Sequence, residues 1–277
     1  MPEGDTVWLA ARRMDQALAG RALTRSEFRV PQLATVDLTG RQVLEVGARG
    51  KHLLIRIEGE LTLHTHFMLA GIWRIFRAGA RLSGGPAHEI RVILANHDHA
   101  AVGYRLPVVE LLATGSESEA VGHLGPDLLG ADWDQAQALR RLASAPDREI
   151  GEALLDQRNL AGIGNLYKTE VLFLSGITPW TLVADVADLP AMLSRVRRLM
   201  MANRDHGPQT TTGNLRRGQD HWVFERADSA CRRCGHRIRR ARQGEPPQDR
   251  LCYWCPACQA GPTPTSTGSS AAASRPA

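Results

Sequence analysis

The spacing of apolar residues changes early in the chain. Val7, Ala11, Met14 and Leu18 recur every three or four residues, with acidic residues before them and Gly20 after them. This is the period of one helix face, so the sequence predicts an amphipathic helix over residues 6–19. Apolar positions then alternate in segments 53–57, 61–63, 72–76 and 90–94, with polar turns at 58–60 and 96–99. Such alternation is typical of strands with one buried face, and it predicts a β-sandwich with one flanking helix over the first ~115 residues.

Helical spacing returns after about residue 117. Four helices are indicated by apolar residues spaced three or four apart within 139–142, 150–154, 171–174 and 189–200. Asp132 and Asp147 are the expected N-caps of the first two helices. Gly176 and Gly207 are the expected ends of the last two. This part of the chain is therefore predicted to be mainly helical.

These patterns predict a multidomain α and β protein. We assign residues 1–120 to the β-sandwich with its flanking helix, 121–213 to a helical domain, 214–260 to a small cysteine-bearing module, and 261–277 to a disordered tail. The chain of 277 residues is long enough for several cores, and its 43% hydrophobic and 23% charged residues are ordinary for a globular protein. Since it has no long apolar run and its start is unlike a secretory signal, we expect a cytoplasmic protein without membrane contact.

The positive charge of the chain is concentrated near its end. Residues 1–213 carry 23 basic against 24 acidic residues, whereas 214–258 carry ten arginines against five acidic residues. A local basic surface of this kind suits a polyanion such as nucleic acid, although a solvated arginine-rich face has the same composition.

All five cysteines lie in the same basic segment. Cys231, Cys234, Cys255 and Cys258 give two C-x2-C steps separated by 20 residues. Four thiolates at such spacing can bind one structural Zn²⁺ on a β-hairpin. Cys252 could replace Cys255, because 252 and 255 also form a C-x2-C step. The tight segment 254–258 favours Cys255, which leaves Cys252 as a spare buried thiol.

The first residues after Met1 have reactive chemistry. Removal of Met1 would leave Pro2 with a free secondary amine, and α-amino groups titrate near ~7.7–8.0, so such an amine is partly unprotonated and nucleophilic at neutral pH. Glu3 could then transfer protons. The alternative is that many proteins simply begin with Met-Pro. Lysine is also rare here: 32 of the 34 basic residues are Arg, and only Lys51 and Lys168 can readily lose a proton.

A glycine-bearing loop connects two predicted helices at residues 156–165. Gly162 and Gly164 predict a helix-hairpin-helix turn whose backbone N–H groups face outward to a phosphate, and Asn165 could add a side-chain donor. Glycines between helices are also common simple turn formers.

Four motifs together resemble the formamidopyrimidine-DNA glycosylase and endonuclease VIII family. They are MPEGD at the start, GKHLL at 50–54, LAGIGN at 160–165, and the four-cysteine finger. The resemblance covers residues 1 to about 260, and the Pro-Glu-Gly-Asp start is similar to the endonuclease VIII branch. It implies that the helical domain 121–213 is a DNA-binding helix-two-turn-helix (H2TH) domain and that 214–260 is a β-hairpin zinc finger. It implies that Pro2 forms a Schiff base with C1′ of a damaged nucleotide and that Glu3 protonates the sugar. It also implies that Lys51 contacts phosphate and assists proton transfer, and that Arg250 of the finger inserts between phosphates.

The resemblance also implies a loop that fills the gap left by a flipped nucleotide. Leu69 matches the inserted leucine of the family, whereas Met68 and Ala70 depart from the usual Gln and Tyr. Without the family, residues 67–69 would be assigned to the core. His123 stands where a DNA-contacting arginine is common, which puts that contact in doubt. The cysteine pairs are also four residues further apart than is usual, which lengthens the finger loop.

These expectations together describe a bifunctional DNA glycosylase and AP lyase. We expect a monomer that acts in base excision repair on oxidised pyrimidines and abasic sites in double-stranded DNA, with one structural Zn²⁺. The alternatives are an enzyme of the formamidopyrimidine and 8-oxoguanine branch and a non-catalytic zinc-finger protein that only binds damaged DNA.

Overall fold

A computed structural model describes residues 2–264. Most of the tail predicted to be disordered, residues 265–277, lies outside the described residues. Within the described part, no helix combines the length and the apolarity needed to cross a membrane.

The N-terminal helix is present and begins two residues earlier than predicted. Helix α1 spans Gly4–Leu18, with Glu3 at its N-cap position. Its apolar face, which includes Val7, Met14 and Leu18, is fully buried against the strands that follow. This packing fixes the start of the chain on the sandwich.

Nine antiparallel strands form the predicted sandwich. In chain order they are β1 (Arg21–Ala22), β2 (Arg25–Phe28), β3 (Gln42–Arg49), β4 (His52–Ile57), β5 (Leu61–His66), β6 (Ile72–Arg77), β7 (Ile90–Ala95), β8 (His99–Tyr104) and β9 (Val108–Ala113). One sheet has the order β1-β3-β4-β5-β9, and the other has β2-β7-β8-β6. Alternate residues such as Leu53, Ile55 and Ile57 are buried in the core, as their spacing predicts. Strands β3 and β4 form a hairpin whose turn is Gly50-Lys51.

Five helices follow the sandwich. They are α2 (Glu117–Val121), α3 (Gln135–Ala143), α4 (Ile150–Leu155), α5 (Asn165–Leu174) and α6 (Leu189–Asn203). The last four are the predicted helices. Short α2 was not predicted, and it spans the expected domain boundary at residue 120, so that boundary stays a prediction.

Two of the predicted N-caps are wrong. The N-cap of α3 is Asp134, whose Oδ1 accepts the Gln137 N–H at 2.9 Å, while Asp132 pairs with Arg49 on the sandwich. Helix α4 follows Glu149 rather than Asp147. In both cases the helix begins two residues later than predicted.

The predicted helix ends are half right. Gly176 lies just after α5 with a φ of +73°, a conformation that glycine adopts without strain. Helix α6 ends at Asn203 with Arg204 as its C-cap, so the prediction that Gly207 ends it is wrong.

The cysteine-bearing segment packs against α5. Its hairpin consists of β10 (Arg239–Gln243) and β11 (Arg250–Trp254), with Gln243 opposite Arg250. Glu170 of α5 binds the segment that precedes this hairpin. Its fully buried carboxylate accepts hydrogen bonds from the backbone N–H groups of Val223 and Phe224 at 2.8 Å each. The finger is therefore tied to the same helix whose first turn faces the N-terminus.

Candidate active site

Glu3 lies at the contact between the N-terminus and helix α5. Its side chain is fully buried. One carboxylate oxygen accepts the Gly164 N–H at 2.7 Å and the other accepts the Leu166 N–H at 2.7 Å. Free N–H groups and the positive end of the dipole meet at a helix N-terminus, so α5 binds this carboxylate as it would an anion.

The acidity of Glu3 is strongly perturbed. Burial raises the pKa of Glu3 to about 7, although the charge of Lys51 and the two backbone N–H donors act in the opposite direction. A carboxyl group with such a pKa exchanges a proton near neutral pH, as a general acid or base must.

Two glycines make room for this arrangement. A Cβ on Gly164 would lie 2.5 Å from Cδ of Glu3, and a Cβ on Gly4 would lie 2.9 Å from Cα of Gly162. The Gly4 N–H donates to the carbonyl of Gly162 at 2.8 Å. Any larger residue at 164 would push Glu3 off the end of α5.

The same contacts correct one expectation for the glycine loop. The N–H groups of Gly162 and Gly164 do not face outward. Gly162 donates to Oε1 of Gln157 at 3.0 Å, and Gly164 donates to Glu3. These donors are used inside the protein because the N-terminus packs onto the loop. DNA contact by other atoms of the loop stays a prediction.

Pro2 lies at the edge of an open cleft. The residue is half-buried, and it lines a cavity of about 470 Å³ together with Thr6, Phe67, Gly71 and Arg74, among others. The N-terminus is thus accessible from this cleft while the neighbouring Glu3 is enclosed.

Lys51 occupies the turn between β3 and β4. The turn is anchored by Asp127, a buried carboxylate whose Oδ2 accepts the Gly50 N–H at 2.7 Å. Burial lowers the pKa of Lys51, the charge of Glu3 opposes this, and Arg250 adds to it. Lys51, Glu3 and Arg250 are thus close enough to influence one another, although they come from three separate parts of the sequence.

Asp5 supports this site and was not singled out from the sequence. It is buried, and it accepts hydrogen bonds from the Tyr167 hydroxyl at 2.5 Å and from Nε2 of Gln209 at 2.8 Å. Burial raises the pKa of Asp5, and these donors oppose the rise. Asp127 was missed as well. No pattern in a single sequence distinguishes such acids from surface ones, because their partners lie far away along the chain.

The middle of the loop 67–71, which follows β5, is exposed. Met68 and Leu69 are 54% and 72% exposed, and Ala70 is also exposed, whereas Phe67 is buried. Met68 has a φ of +48°, and its N–H donates to Nδ1 of His66 at 3.0 Å. The assignment of 67–69 to the core thus holds for Phe67 alone. Met68 and Leu69 thus place two large apolar side chains next to each other on the surface.

A histidine cluster surrounds the Lys51 turn and was not expected. Nδ1 of His52 lies 2.8 Å from Nε2 of His64, and the rings of His66 and His123 lie 4.6 and 6.2 Å from that of His52. Burial lowers the pKa of His52 to about 3 and that of His66 to about 4. His123 was considered only as a replacement for arginine; the structure brings it to this cluster.

The four predicted cysteine ligands converge. The Sγ atoms of Cys231, Cys234, Cys255 and Cys258 all lie within 4.8 Å of one another. Four thiols this close are the donor set of a tetrahedral structural zinc site, so the residues present fit Zn²⁺. Cys252 is not in this set. Its Sγ lies instead 2.9 Å from Nζ of Lys168, and both side chains are fully buried.

Asn165 and Arg250 lie where the finger meets the helical part. Nδ2 of Asn165 donates to the carbonyl of Leu251 at 2.9 Å, while its buried Oδ1 has no hydrogen-bond partner among residues 2–264. The exposed Arg250 begins β11 and donates to the carbonyl of Gln248 at 2.7 Å. Asn165 therefore connects the first turn of α5 to the strand that carries Arg250.

Comparisons with known proteins agree with this arrangement. The formamidopyrimidine-DNA glycosylase N-terminal domain matches residues 1–111, and the formamidopyrimidine-DNA glycosylase H2TH domain matches residues 124–202. The chain belongs to the formamidopyrimidine-DNA glycosylase family. Relatives include a probable endonuclease 8 2 of Streptomyces coelicolor, 59% identical over 97% of both chains. Another is the DNA-(apurinic or apyrimidinic site) lyase Nei2 of Mycolicibacterium smegmatis, 44% identical over 94% of this chain and 99% of the relative.

Solved structures show the same fold at low identity. The Lactococcus lactis Fpg, in a complex with DNA that contains an abasic site, superposes with a TM-score of 0.78 at 21% identity, covering 94% of this chain and 100% of that one. The expected fold class is thus confirmed: a β-sandwich with a flanking helix, an H2TH helical part and a four-cysteine cluster.

Proposed function

We propose that this protein is a bifunctional DNA glycosylase and AP lyase that removes oxidised pyrimidines from DNA in base excision repair. The observation that carries the proposal is the enclosed carboxyl group of Glu3, with a pKa of about 7, directly beside Pro2 at an open cleft. Relatives named endonuclease 8 and DNA-(apurinic or apyrimidinic site) lyase support the same chemistry and favour the endonuclease 8 branch.

The reaction begins at the amine of Pro2 after Met1 has been removed. The amine nitrogen attacks C1′ of the damaged nucleotide, the glycosidic bond breaks, and the base leaves with the bonding electrons and takes up the proton that the amine loses. Glu3 donates its proton to the sugar ring oxygen as the ring opens. The product is an iminium ion between Pro2 and C1′, which acidifies the C2′ protons.

Strand cleavage follows from this iminium ion. Loss of a C2′ proton expels the 3′ phosphate by β-elimination, and a further proton loss expels the 5′ phosphate by δ-elimination. Water then hydrolyses the iminium and frees Pro2. Lys51, with its lowered pKa, contacts a backbone phosphate and assists these proton transfers.

The remaining predicted residues hold DNA. C1′ is out of reach inside a duplex, so the damaged nucleotide must leave the stack, and exposed Leu69 with Met68 and Ala70 fills the gap. We assign contacts with the DNA backbone to Arg250, Asn165, His123 and the loop around Gly162 and Gly164, apart from the N–H groups of these two glycines.

Zinc has a structural role in this proposal. Cys231, Cys234, Cys255 and Cys258 would bind one Zn²⁺ and hold the hairpin that carries Arg250. The metal stabilises a segment too small to have its own core, and no chemical step depends on it. We expect one zinc per chain by elemental analysis, lost in Cys255→Ser and kept in the matched variant Cys252→Ser.

The decisive experiment is borohydride trapping followed by intact mass spectrometry. Duplexes with thymine glycol, 8-oxoguanine or an abasic site are each incubated with the protein and reduced. We expect a covalent adduct at Pro2 of a chain without Met1, faster with thymine glycol than with 8-oxoguanine. An adduct at Lys51 or Lys168 would contradict the proposed nucleophile, and a preference for 8-oxoguanine would favour the other branch of the family.

A second measurement separates catalysis from binding alone. Pro2→Gly and Glu3→Gln are compared with the wild type on the same duplexes. If the wild type and both variants alike cleave abasic DNA no faster than buffer does, the protein is only a DNA-binding relative of these enzymes, and equal cleavage above that rate would contradict the roles of Pro2 and Glu3.

A further inference from the structure

A chain of hydrogen-bonding side chains leads from the surface to the Lys51 turn. Oε2 of Glu110 lies 3.0 Å from Nδ1 of His64, and Nε2 of His64 lies 2.8 Å from Nδ1 of His52. The three residues come from adjacent strands, β9, β5 and β4. Glu110 is 53% exposed as a side chain, whereas His64 is buried. Protons from water can therefore enter or leave this chain at Glu110.

The hydrogen bonds determine where the protons are. A carboxylate only accepts hydrogen bonds, so His64 must carry its proton on Nδ1. When His64 carries this one proton, its Nε2 accepts the hydrogen bond that the Nδ1–H group of His52 donates. Neutral His52 is left with an unprotonated Nε2, which is the inner end of the chain.

The inner end is surrounded by groups that disfavour a positive charge. Burial, together with His66, His64, His123 and Lys51, lowers the pKa of His52. His52 and His66 are therefore neutral at pH 7 in the free protein. Glu110 acts on this cluster through His64, and Glu3 and Arg250 act on Lys51. An anion that binds beside Lys51 would favour protonation of the rings instead, because its negative charge offsets the positive charge of a protonated imidazole.

We propose that His52 binds a DNA backbone phosphate beside Lys51 by taking up a proton on Nε2, with His64 and Glu110 stabilising the resulting imidazolium. The proton comes from solvent, the new N–H donates to a phosphate oxygen, and no covalent bond other than N–H forms or breaks. The identification of the ligand as DNA rests on the proposed function. The protonation of His52 itself requires only a phosphate monoanion as the partner.

A metal ion is less well suited to this cluster than a phosphate. Over residues 2–264, the four cysteines are the only group of three or more His, Cys, Asp or Glu residues whose ligand atoms lie within 4.8 Å of one another. In addition, Nδ1 of His66 already accepts the Met68 N–H. The cluster is therefore better suited to an anion, which several N–H groups can bind together.

The test measures DNA binding against pH with a matched pair of variants. The ligand is a duplex with a tetrahydrofuran abasic analogue, which has no base to remove and cannot form a Schiff base. Affinity is measured by fluorescence anisotropy from pH 8 to 5.5 at constant ionic strength. Calorimetry in two buffers of different ionisation enthalpy counts the protons taken up. Glu110→Gln is compared with Glu119→Gln, which removes the same charge from an exposed residue of nearby α2.

The two variants should differ in their affinity for the duplex. We expect wild-type binding to tighten as the pH falls, by up to about tenfold per pH unit for each proton taken up. Loss of a surface carboxylate alone favours DNA, so Glu119→Gln should bind equally well or more tightly. Glu110→Gln should bind about 3- to 10-fold more weakly than this control at pH 6, with less proton uptake. If Glu110→Gln matches the control at every pH, the proposal is wrong.

Two further measurements identify the phosphate and separate this proposal from the proposed function. A methylphosphonate at the phosphate next to the lesion should abolish the proton uptake, while millimolar inorganic phosphate should not compete if the duplex positions the anion. Uptake unchanged by every methylphosphonate position would overturn the assignment. Base release is measured separately, and its absence together with normal proton-linked binding would refute only the glycosylase activity.

Discussion

Base release by this protein should show an unusually narrow pH optimum. The step needs protonated Glu3 and unprotonated Pro2 amine, and α-amino groups titrate near ~8. With the pKa of Glu3 at about 7, these two groups are one unit apart. The correctly protonated enzyme then reaches roughly 6% near pH 7.5, whereas an ordinary carboxyl group would give roughly 0.03%. Enclosing Glu3 thus increases the reactive population about 200-fold, equivalent to about 3 kcal/mol.

The assay is single-turnover release of thymine glycol from duplex DNA between pH 5 and 9. We expect the rate to rise with unit slope up to about pH 7, to stay level for about one unit, and to fall above ~8. Asp5→Asn should move the lower limb toward acid, because the charge of Asp5 raises the pKa of Glu3. Glu3→Gln should lower the rate by about 10²- to 10⁴-fold. A level rate from pH 5 to 8, with the lower limb near 4.5, would refute this account of Glu3.

Three more substitutions test separate contacts. Gly164→Ala should abolish base release, because its Cβ would lie 2.5 Å from Cδ of Glu3. The control Gly115→Ala, whose Cβ would have no atom within 4 Å, should change neither the activity nor the melting temperature. Leu69→Ala should slow base release at least tenfold without a change in melting temperature, while Leu44→Ala, a comparably exposed leucine, should do neither. Cys252→Ala should lower the melting temperature by a few degrees, because it leaves the buried Nζ of Lys168 without its hydrogen-bond partner at 2.9 Å, and normal thermal melting would contradict that role.

The apolar pattern predicted the elements whose buried faces are regular. Helix α1 buries Val7, Ala11, Met14 and Leu18, the residues whose spacing predicted it, and the approximate positions of strands β4 to β7 were also expected. Strands β2 and β3 were missed because charged residues such as Arg25 and Glu45 interrupt the alternation. Strand β2 pairs with β7 and β3 pairs with β4, so hydrogen bonding to these neighbours stabilises them although their own apolar pattern is weak.

Candidate site residues could be predicted from the sequence only where they lie close together along the chain. Pro2 and Glu3 at the start and the paired C-x2-C steps are such cases. The contacts that perturb Glu3 come from Gly164 and Leu166, more than 160 positions away. The same distance explains the error about Gly164: its N–H was expected to face solvent, because nothing in the loop indicates that the N-terminus packs onto it.

Because the first turn of α5 binds Glu3, exchanging the N-terminal or the helical segment between family members would change the environment of Glu3. The proposed nucleophile belongs entirely to the N-terminal segment, but the proton affinity of its neighbouring acid depends on a backbone from the helical segment. A chimaera that joins residues 1–120 to a foreign H2TH region would therefore keep the amine and still work at a different pH. Adaptation of such enzymes to acidic or alkaline cells can thus arise from changes in the backbone around the start of α5, outside the N-terminal segment that carries the nucleophile.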